Sequence, residues 1–370
     1  MKELALRPTV HKFRTCAEFV EEFRINDHDL VLSNEYIYHP NFESFDLPCQ
    51  VIYQERYGKG EPTDEMVEAI AGDIKGSPER IIAIGGGTII DISKLLALKE
   101  FLPVEDLFDG KIELIKNKKL VIVPTTCGTG SEVTSVSVMS LLKKNTKKGL
   151  QKDELYADDA VLIPELLLSL PDYVFGTSSI DALIHAVESA LSPKASASTK
   201  LFSYKAIDMI LNGYKKVVEG GSETRKALSE DFLMASMYAG IAFSIAGTGG
   251  VHAMSYPFGA KYHVPHGESN YCLFTAVLKE DMRHRQDGEI AILNAFIAGI
   301  LGCKENDVYD KLEELLDHIL MHKPLHEYGV TEEDLKDFAK SCYENQQRLL
   351  VNNFVPFDEE IIYNVYRSVY

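Results

Sequence analysis

The sequence predicts two domains: an α/β domain on a mostly parallel sheet over residues 1–171, and an all-α domain over residues 172–370. Three observations lead there. At 370 residues the chain exceeds what one hydrophobic core ordinarily serves. Up to about residue 170, short β-branched runs alternate with helical patterns, the order of a parallel sheet covered by helices. After Leu170-Pro171-Asp172, strand signals become sparse and long helical patterns take over.

The strand-length runs are residues 29–33, 50–53, 80–84, 120–123 and 160–163, with helical segments such as 63–74 and 88–100 between them. In the second part, helical patterns cover 178–191, 199–217, 222–246, 305–320, 332–345 and 358–369. The lysine-rich run 143–148 reads as a solvated turn. Hydrophobic residues make up 45% and charged residues 25%, the balance of a soluble globular protein. No apolar run reaches membrane-spanning length, and the first eight residues lack the apolar centre of a secretory signal, so the expected compartment is the cytoplasm. A net charge of −18 argues against nucleic acid and anionic membranes as partners. The six cysteines show no metal-binding or disulfide spacing and read as free thiols.

Two strand ends carry glycine. Ile84-Gly85-Gly86-Gly87-Thr88 leaves one strand and opens a helix, where backbone N–H groups and the helix dipole can meet a pyrophosphate. A generic strand-to-helix turn can carry the same glycines. The second end, Pro124-Thr125-Thr126-Cys127-Gly128-Thr129-Gly130-Ser131-Glu132, packs hydroxyls between glycines, suited to ribose and amide groups or to a tight helix cap. Two such ends in one sheet favour a dinucleotide.

In the second part, Asp181 and His185 are four residues apart and leave one helix face, half of a tetrahedral metal site. Ser178-x-x-Asp181 also fits a capping box, in which Asp181 only caps the helix. Further ligands would come from His252, His263 or His266, and spacing does not choose among them. Pro257, Gly259, Pro265 and Gly267 rule out one unbroken helix through this stretch, so the histidines converge only if the chain folds back.

With these residues in view, the chain resembles the iron-containing (group III) alcohol dehydrogenases over essentially its whole length. The matching stretches are Gly85-Gly86-Gly87-Thr88-x-x-Asp91-x-x-Lys94, Pro124-Thr125-Thr126-x-Gly128-Thr129-Gly130-Ser131-Glu132, Asp181-Ala182-x-x-His185, and His252-Ala253 through Pro265-His266-Gly267. The resemblance implies a dinucleotide-binding first domain, the dehydroquinate synthase-like fold, and a divalent metal held by Asp181, His185, His252 and His266. It places Gly85, Gly86, Gly87, Thr88, Thr125, Thr126, Thr129, Ser131 and Lys147 at the NAD site, with Asp91 beside the nicotinamide. Asp91, Lys147 and Tyr256 are its catalytic candidates. Fe²⁺ is the metal it implies; the donor set alone suits Zn²⁺ equally. It also implies a homodimer or larger homo-oligomer.

Ala253-Met254-Ser255-Tyr256-Pro257, 262–268 and 346–353 resemble the branch of the family that interconverts 4-hydroxybutyrate and succinate semialdehyde. Alternatives are another primary alcohol or diol, such as butanol or 1,3-propanediol, or a lyase or cyclase of the dehydroquinate synthase type. The last would need a basic cluster for a phosphorylated substrate, which the helical part lacks. Two departures stand out. Tyr256 occupies a place where the family usually has a second histidine for the alcohol proton. At the end of the second strand an aspartate is replaced by Ser33-Asn34-Glu35, so Asn34 can bond the ribose 2′-hydroxyl but cannot repel a 2′-phosphate; an inward Glu35 would favour NAD over NADP. For a substrate carboxylate in so acidic a chain, Arg348 is the expected cation, with Lys261 in reserve.

Overall fold

The computed structural model describes residues 3–144 and 146–370. Its contacts divide into two units, Leu6–Leu170 and Pro171–Tyr370, the latter joined by residues 3–5. Glu3 belongs there because its carbonyl accepts from Ser196 Oγ at 2.9 Å, and its carboxylate accepts from the Ser198 N–H at 3.1 Å. The start of the chain therefore packs with the helical unit, contrary to the expected 1–171 grouping.

The first unit contains β1 (Thr9–Lys12), α1 (Cys16–Phe23), β2 (Asp29–Ser33), α2 (Glu35–Phe42), β3 (Gln50–Tyr53), α3 (Asp64–Asp73), β4 (Arg80–Gly85), α4 (Gly87–Leu96), α5 (Val104–Phe108), β5 (Lys119–Pro124), β6 (Val136–Leu141), β7 (Thr146–Gln151) and β8 (Asp159–Leu162). Its main sheet is parallel, in the order β1-β8-β5-β4-β2-β3. Alternation along the strands builds a core on each face. Leu30, Leu32, Ile81, Ala83, Leu120 and Ile122 pack with α3, α4 and α5. Val31, Ile82, Ile84, Val121 and Val123 pack against Phe19, Tyr38 and Phe42 of α1 and α2. The sheet therefore presents the ends of β2, β4 and β5 side by side.

The lysine-rich run is not a simple turn. Thr146–Gln151 forms β7, paired antiparallel with β6. Lys147 bonds Glu61 at 2.6 Å and Lys144 bonds Asp109 at 2.6 Å, so acidic neighbours neutralise this strand. Asn145, in the same run, lies outside the described residues, as do Met1 and Lys2.

The second unit contains α6 (Asp172–Leu191), α7 (Ala197–Ala227, interrupted at Gly221), α8 (Ser229–Ala246), α9 (Gly250–Tyr262), α10 (His266–Tyr271), α11 (Phe274–His284), α12 (Glu289–Leu301), α13 (Val308–Asp317), α14 (Glu332–Asn345), α15 (Gln347–Leu350) and α16 (Glu359–Ser368). Helix α6 starts six residues before Ser178, whose hydroxyl donates to the Phe175 carbonyl at 3.3 Å. Asp181 is thus a mid-helix residue, and the capping-box alternative is excluded. Helix α9 runs through Pro257 at the loss of one backbone donor, and Gly259 is a contact point rather than a break. A Cβ there would lie 2.8 Å from Ser269 Oγ of α10. The break comes at His263, which ends α9 with φ +54°. Among the described residues no single helix is long and apolar enough to cross a membrane.

One buried cation ties the first unit together. Lys94 of α4 is fully buried, and its amine donates to Ser131 Oγ (2.7 Å), Thr134 Oγ1 (3.1 Å) and the Val136 carbonyl (2.6 Å). Burial pushes it down to about 8, opposed by the carboxylates of Asp91 and Glu132. Replacing the amine with an apolar side chain would strand three buried acceptors. Lys94→Met should cost about 3–5 kcal/mol of stability in urea unfolding. A loss below about 1 kcal/mol would show that the network is dispensable.

Candidate metal and nucleotide sites

In the helical unit, three helices bring four ligands together. Asp181 and His185 come from one face of α6, His252 from the first turn of α9, and His266 from the start of α10. One ligand atom from each lies within 4.8 Å of the others, and Asp181, His185 and His252 are buried. Nε2 of His185 and His252 are 3.0 Å apart, while Asp181 Oδ1 is 3.7 Å from His252 Nε2 and 3.9 Å from His266 Nε2. Ligands at about 2.1 Å around a tetrahedral ion lie about 3.4 Å from one another. One carboxylate and three imidazoles at these separations fit a divalent first-row metal. His263, left open by spacing, is not in the group.

The surroundings hold the ligands in place. Glu188 Oε2 is 2.5 Å from His252 Nδ1 and its Oε1 accepts the Val251 N–H at 2.7 Å, which puts the proton on Nδ1 and leaves Nε2 free to ligate. His185 stacks on Phe243 at 4.3 Å between centroids and on His252 at 4.6 Å. Asn270 Nδ2 donates to Asp181 Oδ1 at 2.7 Å. Burial works to raise the Asp181 carboxyl, but the three histidines and Asn270 outweigh it and hold it at about 2. Sequence reasoning gave Glu188 and Asn270 no role. Both had a signal: Glu188 is seven residues after Asp181, and Asn270 four after His266, each on its ligand's helix face.

Glycine makes the approach possible. A Cβ on Gly267 would lie 2.1 Å from the Thr177 carbonyl oxygen of α6, so only glycine lets α10 sit this close.

Of the expected substrate cations, Lys261 pairs with Asp334 on α14 and is half exposed. Arg348 stands elsewhere. Its guanidinium lies 5.9 Å from the Tyr256 ring centroid, and that ring is 6.0 Å from the ring of His266.

In the first unit, the glycine turn follows β4. Gly85 packs so tightly that a Cβ would lie 2.4 Å from Ile89 Cγ1. Gly86 caps α4 with no side-chain hydrogen bond, leaving the first amides of the helix available to an anion. The Thr125 N–H donates to the Gly85 carbonyl at 3.2 Å, setting the threonine-rich loop after β5 beside this turn. Thr126 and Thr129 flank it: their methyl carbons would lie 3.6 and 3.2 Å from a Cβ built on Gly86 and on Gly87. A narrow, glycine-floored turn ending in uncapped amides fits a dinucleotide pyrophosphate. Other expected contacts are engaged within the protein. Thr88 Oγ1 donates to the Gly60 carbonyl at 2.9 Å, and Thr129 Oγ1 accepts the Ser131 N–H at 3.3 Å. Ser131 Oγ donates to Asp91 Oδ1 at 3.0 Å, and Asp91 Oδ2 accepts the Val138 N–H at 2.8 Å. Burial raises the Asp91 carboxyl, with Lys94 opposing.

Comparison with known proteins decides the family. Residues 15–164 match the profile described as iron-containing alcohol dehydrogenase, and residues 175–370 match the Fe-containing alcohol dehydrogenase family, C-terminal. The chain belongs to the iron-containing alcohol dehydrogenase family. It is 52% identical to the 4-hydroxybutyrate dehydrogenase of Clostridium kluyveri over 371 residues, covering the whole of both chains. It is 33% identical to long-chain-alcohol dehydrogenase 1 of Geobacillus thermodenitrificans, over 83% of this chain and 78% of that one. The same fold is seen in sulfoacetaldehyde reductase from Bifidobacterium kashiwanohense in complex with NAD+, with a TM-score of 0.85 at 23% identity over 100% of this chain and 98% of that one. Family membership gives iron as the metal, for which these four donors are the candidate ligands, and leaves the glycine turn as the candidate dinucleotide site. It leaves the lyase or cyclase alternative without support.

Two substitutions test the ligand set. His266→Ala should lower metal content to well below one ion per chain while circular dichroism keeps its helical signal, because the helical core lies elsewhere. Gly267→Ala should lower metal content too, since α10 must withdraw from α6 and carry His266 with it. Full metal occupancy in His266→Ala would refute this set of ligands.

Proposed function

We propose that this alcohol dehydrogenase interconverts 4-hydroxybutyrate and succinate semialdehyde, passing a hydride between the C4 carbon and NAD. The whole-length likeness to a 4-hydroxybutyrate dehydrogenase supports the substrate. The observation that carries it is Arg348, a guanidinium beside the aromatic ring that adjoins the metal ligand His266. A 4-hydroxy acid carries its carboxylate several ångströms from the carbon that reacts. In a chain of net charge −18 that anion needs a fixed cation, and a guanidinium can grip it through two parallel hydrogen bonds.

The bound metal supplies Lewis acidity, which lowers the pKa of an alcohol hydroxyl. The residues do the rest. Asp181 would contribute the one negative charge of the ligand set, so a divalent ion held there would keep a net positive charge. The half-buried Tyr256 ring lies 6.0 Å from the His266 ring and 5.9 Å from the Arg348 guanidinium, which supports it as the wall along the substrate chain and its phenol as the candidate proton carrier. Both carboxylate oxygens of Asp91 accept hydrogen bonds from Ser131 and Val138, so Asp91 positions the nucleotide loop. Lys147 of β7, bonded to Glu61, adds positive charge near Asp91.

Arg348→Met should raise KM for 4-hydroxybutyrate roughly 10- to 100-fold and leave activity on butanol nearly unchanged. NADH absorbance reads both. Equal losses on the two alcohols would assign Arg348 a structural role and remove the basis for an anionic substrate.

A further inference from the structure

The end of β2 is where a parallel nucleotide-binding sheet ordinarily places the acid that reads the adenosine ribose. Here that place holds no acid. Ser33 turns inward and donates to the Ile84 carbonyl at 2.8 Å, Asn34 is neutral, and Glu35 is paired with Arg56, whose Nε lies 2.8 Å from its carboxylate. The expected charge from Glu35 is thus neutralised on an exposed face.

A carboxylate nevertheless stands there. In the sheet register Ser33 pairs with Tyr53 of β3, so the residues following the two strands leave side by side. Glu55, just past β3, accepts the Glu35 N–H at 2.6 Å with Oε1 and Asn34 Nδ2 at 2.9 Å with Oε2. The first of these donors is the opening amide of α2, which favours a negative charge at that point. Both donors are neutral, and the nearby Arg56 guanidinium, which Glu55 feels, is hydrogen-bonded to Glu35 instead, so the Glu55 charge is held in place and only partly offset. Ser33 also ties this corner to β4, one residue before the glycine turn at Gly85, which places Asn34 and Glu55 alongside the pyrophosphate site.

We propose that Glu55 selects NAD(H) over NADP(H): its carboxylate, borrowed from β3 and fixed by Asn34 and the α2 amide, accepts the ribose 2′-hydroxyl and repels a 2′-phosphate. Each carboxylate oxygen uses one acceptor site on the protein and retains another for a hydroxyl. A 2′-phosphate would bring two further negative charges against a fixed one. The proposal rests on the nucleotide site described above.

The test is fluorescence titration of the metal-loaded enzyme with NADH and NADPH, on the wild type, Glu55→Gln and Glu55→Ser. Gln keeps the shape and removes the charge; Ser also opens space. The wild type should bind NADH at least 10-fold more tightly than NADPH. Both variants should narrow that ratio about 10-fold or more, chiefly by tighter NADPH binding. A ratio unchanged in both variants, or a wild type that prefers NADPH, overturns the role of Glu55. A wild type that binds neither dinucleotide overturns the nucleotide site, and this proposal with it.

Discussion

The helical unit is organised by the need to bring one carboxylate and three imidazoles, three of these four groups buried, within 4.8 Å of one another. Buried polar groups carry a heavy desolvation cost unless each is matched, and here the matching comes from several helices. Glu188 orients His252, Asn270 holds Asp181, and Phe243 stacks on His185. None of this works unless α10 can approach α6 and α9 closely. Gly267 against the Thr177 carbonyl and Gly259 against Ser269 provide that approach. The glycines and the ligands are one design, since the ligand separations depend on the helix separations.

The first unit solves a related problem with opposite charge. Its nucleotide turn is made of backbone amides, and a loop of hydroxyls and glycines has little packing of its own to define its shape. Lys94 supplies that definition from below by gathering Ser131, Thr134 and the Val136 carbonyl around one buried amine. Asp91 extends the network to β6 through Val138. Residues that look from sequence like nucleotide contacts are in part the scaffold that holds the contacts in position.

Much of this was legible in the sequence, and the exceptions have physical causes. The interior strands β2, β4 and β5 have unbroken apolar centres because they are buried on both faces. The edge strand β1, the sequence Thr-Val-His-Lys, is covered on one side only and carries no such run. Strand β7 was hidden because its lysines are neutralised by Glu61 and Asp109, partners distant in sequence. The stretch from His252 to Gly267 is broken as the sequence predicts, but at His263; Pro257 and Gly259 sit inside α9, where packing against α10 and α14 outweighs local propensity. The pair Asp181 and His185 follows from helix periodicity alone. The choice of His252 and His266 over His263 does not, because it depends on where α9 ends, and that end is set by a left-handed residue at His263 itself.

On the proposed function, a chain of net charge −18 must handle two anions and cannot rely on its overall field, which repels both. It relies on local donors instead. At α4 the positive element is a set of uncapped backbone amides, which carry no formal charge and so cannot be neutralised by the many acidic side chains nearby. In the helical unit it is a guanidinium against the Tyr256 ring, whereas Lys261, the other nearby cation, is already paired with Asp334. An aromatic face steadies a cation without satisfying its hydrogen-bond donors, which a carboxylate partner would do. An arginine against an aromatic ring would keep its fork open for the proposed substrate carboxylate. The same logic in reverse applies at Glu55, an anion fixed by neutral donors while the nearby Arg56 is hydrogen-bonded to Glu35. In each place the partner that holds the group is chosen to leave its charge, or its donors, available to the ligand.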